Sequence, residues 1–171
     1  MKLRRLLLLG CALLTCVGPS LAAAPESARE VHGSADAYAG DGLALVWGVL
    51  RGPDEASTVV ALRIVAAPER YPLLAVVGRN PFSQQTKALL PPTSTKGGVD
   101  LRVARSHFPD FPRTELRFYG SAAAAQADSP QLVVYFLGVP DTTPEFTSEA
   151  RLSAYVSDRI ARLGSEGKRS P

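Results

Sequence analysis

Hydrophobic and polar positions divide this chain into a short apolar block at the start, a long middle with a period of two, and an end with a period near four. Leu43 to Leu50 is a continuous apolar run of strand length, entered through Asp41-Gly42. Gly52-Pro53-Asp54 supplies turn chemistry. In Ser57 to Val65, Thr58, Val60, Leu62 and Ile64 share one face, and Val59, Ala61, Arg63 and Val65 share the other. Two β-branched runs around a Gly-Pro-Asp loop predict a hairpin. Trp47, inside the first run, reads as a core anchor in preference to a sugar platform.

Five further strands follow from the same reasoning. They are Leu73 to Val77, Phe82 to Leu90 ahead of Pro91-Pro92, Val99 to Ala104, Thr114 to Tyr119, and Gln131 to Val139. The clearest alternation is Val99, Leu101 and Val103 against Asp100 and Arg102. The last of the five is the most hydrophobic and is expected to be central. Ser121 to Pro130 is an Ala-rich surface connection, helical for a turn at most. Seven strands at intervals of roughly 10 to 18 residues suit an antiparallel sandwich.

The end of the chain changes period. Leu152, Tyr155, Val156, Ile160 and Leu163 fall on one helical stripe, which core packing explains better than a docking face. Thr143 or Ser148 can cap its start, with Pro144 at a tolerated first position. Gly164 is placed to end it. The expected fold is mainly β: a single antiparallel β-sandwich, immunoglobulin-like in general architecture, over residues 42–164 with one C-terminal amphipathic α-helix. Residues 24–41 read as a flexible lead with room for one edge strand near Val31 or Tyr38, and 165–171 as a disordered tail.

The opening block alters this picture most. Lys2, Arg4 and Arg5 form a positive head, an apolar run spans Leu6 to Val17, and Ser20-Leu21-Ala22-Ala23-Ala24 is an A-x-A-like end. That sequence of regions is a secretory signal peptide, read as residues 1–23, with cleavage after Ala22 or Ala23 because Pro25 obstructs a cut after Ala24. The run is too short to cross a ~30 Å hydrocarbon core, so no transmembrane anchor is expected. Lipidation at Cys11 or Cys16 is the alternative, and neither cysteine sits in a well-formed lipobox.

Processing would change the bulk properties. Three of the 19 basic residues and none of the 16 acidic ones lie in the leader, so the processed chain carries 16 of each. Net charge then gives no support to a nucleic-acid or anionic-lipid partner. Both cysteines leave as well, which excludes disulfides, thiolate metal sites and cysteine nucleophiles. Arginine outnumbers lysine 15 to 4, and the one asparagine, Asn80, precedes a proline, so no N-x-[ST] site exists. These features favour a bacterial periplasm or extracellular space.

Candidate chemistry is sparse. His32 lies in the lead and His107 beside a Pro-Phe loop, too few ligands for a transition-metal site, and no cofactor motif is present. Ser106 and His107 are adjacent and would point to opposite faces of a strand, and no G-x-S-x-G elbow occurs. Asp36 and Asp41 lack the calcium-loop pattern, and Lys96-Gly97-Gly98 has phosphate-loop residues in the wrong order. The most unusual segment is Arg105-Ser-His-Phe-Pro-Asp-Phe-Pro-Arg113, a proline-stiffened aromatic loop flanked by arginines. Arg79-Asn-Pro-Phe-Ser83 has similar chemistry and is expected at the same end.

Aromatics and arginine on a rigid loop are favoured contact residues. Phe82, His107, Phe108, Phe111 and Arg113 are therefore the candidate binding residues, against the alternative that the phenylalanines fold back to plug the core. The expected function is a non-catalytic exported module that engages an envelope or secreted protein. A periplasmic hydrolase around His107 and an envelope-associated structural protein held by its N-terminus are the alternatives.

Overall fold

The computed structural model describes residues 27–31, 36–137 and 144–166, and of 27–31, 137, 165 and 166 the backbone alone. The expected leader (residues 1–23), His32, Val139, Thr143 and the last five residues of the expected tail lie outside the described residues.

Among the described residues there are ten strands: β1 (Ser27–Val31), β2 (Ala37–Gly40), β3 (Leu43–Leu50), β4 (Val59–Ala66), β5 (Leu73–Arg79), β6 (Thr86–Ser94), β7 (Val99–Ala104), β8 (Arg113–Tyr119), β9 (Leu132–Leu137) and β10 (Glu145–Phe146). Two helices accompany them, a short α1 (Ala122–Gln126) and the C-terminal α2 (Glu149–Glu166). One sheet has the order β1-β9-β8-β5-β6 and the other β10-β3-β4-β7, with β2 also paired to β3. The pairings are antiparallel except at two edges, where β1 joins β9 and β10 joins β3 in parallel. The protein is thus mainly β, with two antiparallel sheets and a C-terminal helix.

The sheets bury their facing sides against each other in a sandwich-like arrangement. Leu45, Trp47, Leu62 and Leu101 from one sheet share a core with Leu74, Leu116, Phe118 and Phe136 from the other. Trp47 is 0 % exposed and meets Phe136 edge-on with ring centroids 5.1 Å apart. Such a contact adds about 0.5–1.5 kcal/mol beyond the area it buries. β9 is interior to its sheet, between β1 and β8.

β1 and β2, both in the expected lead, and β10 add to the seven expected strands, and β6 and the C-terminal helix have other bounds than expected. β6 starts at Thr86, not Phe82, and continues through Pro91-Pro92. Its register against β5 slips there: Leu74 faces Thr93 and Val76 faces Leu90, so the prolines occupy an irregularity that needs no ladder hydrogen bond. β6 is also an edge strand, where proline is tolerated. The C-terminal helix runs through Gly164 to Glu166. Gly164 does not adopt the positive φ of a helix-ending cap, and nothing within 4 Å of a built Cβ fixes its place.

α2 lies over the outer side of β3. Gly48 makes this possible: a Cβ there would come within 2.9 Å of Leu152 Cδ1 and 3.1 Å of the Phe146 ring. Arg102 pairs with Glu149 through both carboxylate oxygens, fastening the first turn of the helix to β7. Farther along, the Tyr155 hydroxyl and Arg159 both donate to the Asp36 carboxylate. Burial pushes that carboxyl up, and the two hydrogen bonds outweigh it, leaving Asp36 below the usual carboxylate range. Gly48→Val should therefore displace the helix and cost about 1–3 kcal/mol of unfolding free energy in urea titrations.

Candidate functional site

Three loops meet at one end of the two sheets. The β3–β4 loop touches the β7–β8 connection where Arg105 N donates to Thr58 O at 2.9 Å. The β5–β6 loop touches the same connection where Asn80 Nδ2 donates to Asp110 O at 2.8 Å. The two segments singled out for their Phe, Pro and Arg content are thus bound together.

The β7–β8 connection begins as a 3₁₀ turn at Arg105–His107 and tightens again where Phe111 N donates to His107 O at 3.0 Å. This winding turns His107 and Phe108 inward. Phe108 is 6 % exposed and belongs to the shared core, 6.3 Å from Phe136. His107 is 7 % exposed, edge-on to Phe108 and stacked on Phe111 at 4.8 Å with an angle of 11°. Its Nε2 has no hydrogen-bond partner and sits over Gly78, where an added Cβ would be only 2.5 Å away. Burial, and then the Lys87 ammonium, push this imidazole below its ordinary 6.5, against the pull of Asp110.

Phe82 behaves differently. It is 91 % exposed, the one large apolar side chain so placed among the described residues. Its loop is nevertheless well braced. Asn80 Oδ1 accepts from Phe82 N at 2.9 Å and from Ser83 N at 3.0 Å, and Asn80 N donates to Gln85 O at 2.9 Å. Gln84 takes a left-handed φ of 60° to close the turn. Arg113, at the start of β8, lies on the outer side of its sheet with its guanidinium 3.6 Å over the Tyr135 ring. Phe82, His107, Phe108, Phe111 and Arg113 therefore share one end of the molecule, but only the Phe82 ring is presented to solvent in full.

Two features escaped the residue-by-residue reading. Glu115 is 3 % exposed yet lies on the outer side of β8, with Arg79, Arg113 and Arg117 around it. The alternation Arg113-x-Glu115-x-Arg117 was the available signal, since period two puts all three on one face. Arg117 also reaches Asp128 at 2.7 Å, and Tyr119 donates to Asp128 at 2.8 Å. Burial and that hydrogen bond push the Tyr119 hydroxyl up to about 12. The second feature is a groove of about 510 Å³ between α2 and the outer side of β4 and β7. Ala61, Val65, Val156 and Ile160 make its walls apolar, and the Arg63–Asp100 and Arg102–Glu149 pairs stand at its mouth. The apolar members of the second face of β4, Ala61 and Val65, were its signal.

Among the described residues no three His, Cys, Asp or Glu side chains gather as a metal site, and no helix is long and apolar enough to cross a membrane. No protein-family model matches this chain, and neither a curated protein nor a solved structure matches it.

The site makes two measurable statements. Phe108→Ala should cost about 3–5 kcal/mol of stability, whereas Phe82→Ala should stay within about 0.5 kcal/mol of the parent, both read from urea midpoints. The second concerns pH. His107 binds a proton more readily in the unfolded chain than in the folded one, so its contribution is fully present above 6.5 and is lost as pH falls from there through its lower folded value. Unfolding free energy should decline between pH 7 and 5 in the parent, and this decline should be absent in His107→Gln.

Proposed function

We propose that this protein is an exported, non-catalytic binding module that engages an envelope or secreted protein through the end carrying Phe82. The observation that carries the reading is Phe82 itself: a fully presented aromatic ring on a turn held in place by Asn80. An apolar ring that gains nothing from the core, on a loop that loses little freedom when it docks, has the properties of a contact residue. His107, Phe108 and Phe111 act behind it as a rigid platform, because Asn80 joins the Phe82 turn to their loop. Arg113 flanks the platform on the sheet face. Export is inferred from the leader sequence, and it places the protein in the periplasm or outside a bacterial cell. The absence of net charge in the processed chain argues for a protein partner over nucleic acid.

We also infer an immunoglobulin-like topology for the central seven strands. What supports it is their order: β3, β4 and β7 lie side by side in one sheet, and β9, β8, β5 and β6 in the other. Named A to G in chain order, with β6 as the fourth, these are an A-B-E sheet and a G-F-C sheet to which the fourth strand is added. In the constant-type arrangement that strand would join E instead.

A photoreactive residue at Gln84, beside the ring, tests the contact in the cells that make the protein. A discrete adduct with one envelope or secreted protein is expected when Phe82 is present, and its yield should drop at least tenfold, about 1.4 kcal/mol, in Phe82→Ala. Asn80→Ala should weaken the same adduct while leaving the ring in place. An adduct indifferent to both substitutions would overturn the contact. The mass of the protein recovered outside the cytoplasm should lack the 22 or 23 leader residues.

A further inference from the structure

We infer that Arg79 and Arg113 form a binding site for a tetrahedral oxyanion, a phosphate or sulfate group, on the outer side of the β5–β8 pair. The site shares Arg113 with the flank of the Phe82 end, and anion binding there does not require the partner proposed for Phe82. Its basis is an arrangement that costs the fold stability and that the fold does not resolve internally. Arg79 and Arg113 are direct cross-strand partners in the β5–β8 register. Their Cβ atoms are therefore roughly 5 Å apart, and like charges placed so are destabilising.

Among the described residues Glu115 is the carboxylate paired with both, and it is shared unevenly. Arg117 takes Oε2 with two donors, at 2.7 and 3.1 Å, and Asp128 with a third. Arg79 and Arg113 are left with the single oxygen Oε1, at 3.4 and 3.6 Å. A charge-assisted hydrogen bond between such groups is normally about 2.7–2.9 Å. Arg113 Nε, buried and turned toward Glu115 Oε1, makes no hydrogen bond among the described residues. Among the described residues three guanidinium groups face two carboxylates, an excess of one positive charge.

The two underused guanidinium groups are also the two that reach solvent. Arg79 and Arg113 side chains are 38 % and 31 % exposed, against 17 % for Arg117. The Arg113 guanidinium lies 3.6 Å over the Tyr135 ring, with Nε buried toward Glu115, which leaves the terminal Nη donors for a ligand. Each guanidinium presents five N–H donors in a fixed fork, and two forks side by side match the several acceptor oxygens of a phosphate or sulfate. An anion seated between them would satisfy those donors and remove the like-charge repulsion in one step. Glu115 sets the geometry from beneath and sets a limit on affinity, since its own charge repels the ligand.

The test uses the full chain with inorganic phosphate, sulfate and glycerol 3-phosphate, each compared with sodium chloride at equal ionic strength. The Nε–Hε resonances of Arg79 and Arg113 in nitrogen-15 spectra should shift saturably with phosphate, and Arg79→Gln should weaken that binding about tenfold. Melting temperature gives a second reading. Phosphate and sulfate stabilise folded proteins generally by exclusion, so the informative quantity is the excess gain of the parent over Arg79→Gln, which should be positive. In chloride alone Arg79→Gln should melt no lower than the parent, because it relieves the repulsion. Response to glycerol 3-phosphate as well as the free ion would identify a phosphate ester as the ligand, and response to the free ions alone a small inorganic anion. Non-saturating shifts, an equal gain in parent and variant, or a marked loss of stability of Arg79→Gln in chloride would overturn the site.

Discussion

The edge-on contact between Trp47 and Phe136 sets the spacing of the two sheets, and the loop end is registered to it. From that pair a row of rings leads outward: Phe136 to Phe108, Phe108 to His107, His107 to Phe111. Each ring is positioned by the one before it, so the loop that follows β7 inherits the rigidity of the core. Asn80 transfers that rigidity to the β5–β6 turn, and the exposed Phe82 ring stands at the end of the series. The backbone under an exposed ring is thereby braced by packing that begins in the middle of the molecule. This coupling is what suits an isolated exposed phenylalanine to the contact proposed for it.

The two outer faces are completed in different ways. On the β3–β4–β7 side, the back face holds Val46, Gly48 and Ala61, and α2 covers it. The cover is partial, and the space left between Val156, Ile160 and β4 is the groove. On the β9–β8–β5 side no helix among the described residues covers the charged ladder of Arg79, Arg113, Glu115 and Arg117. Their aliphatic stems and one another's charges do the shielding, which is how Glu115 becomes almost inaccessible on an outer face. Such a ladder tolerates an imbalance of charge only because part of it remains in contact with water.

Much of this fold is legible from period alone. The hairpin at Gly52-Pro53-Asp54, the inward face of β4 and the stripe of α2 all follow from spacing, because burial selects side chains by face. Proline misled the reading of β6: local rules stop a strand at Pro91-Pro92, whereas an edge strand absorbs both in a register slip. β1 and β2 carry weak local signals, and they exist by pairing with β9 and β3, partners remote from anything a short window can register. Which sheet each strand joins, and that α2 covers an outer face instead of an open end, depend on contacts such as Gly48 with Leu152 that no local rule contains. At the candidate site, residue types drew attention to five positions, but exposure separates them: a 3₁₀ turn rotates His107 and Phe108 inward while Asn80 holds Phe82 out.

Trp47 is the single tryptophan of the chain, so its fluorescence reports the central contact without interference. Acrylamide quenching across a urea titration is the most direct test. The account predicts almost no quenching of the native protein, then a single rise to the value of free tryptophan that coincides with loss of the β circular-dichroism signal. Quenching close to that of free tryptophan in the absence of urea would contradict it, because the sheets would then not be closed around Trp47.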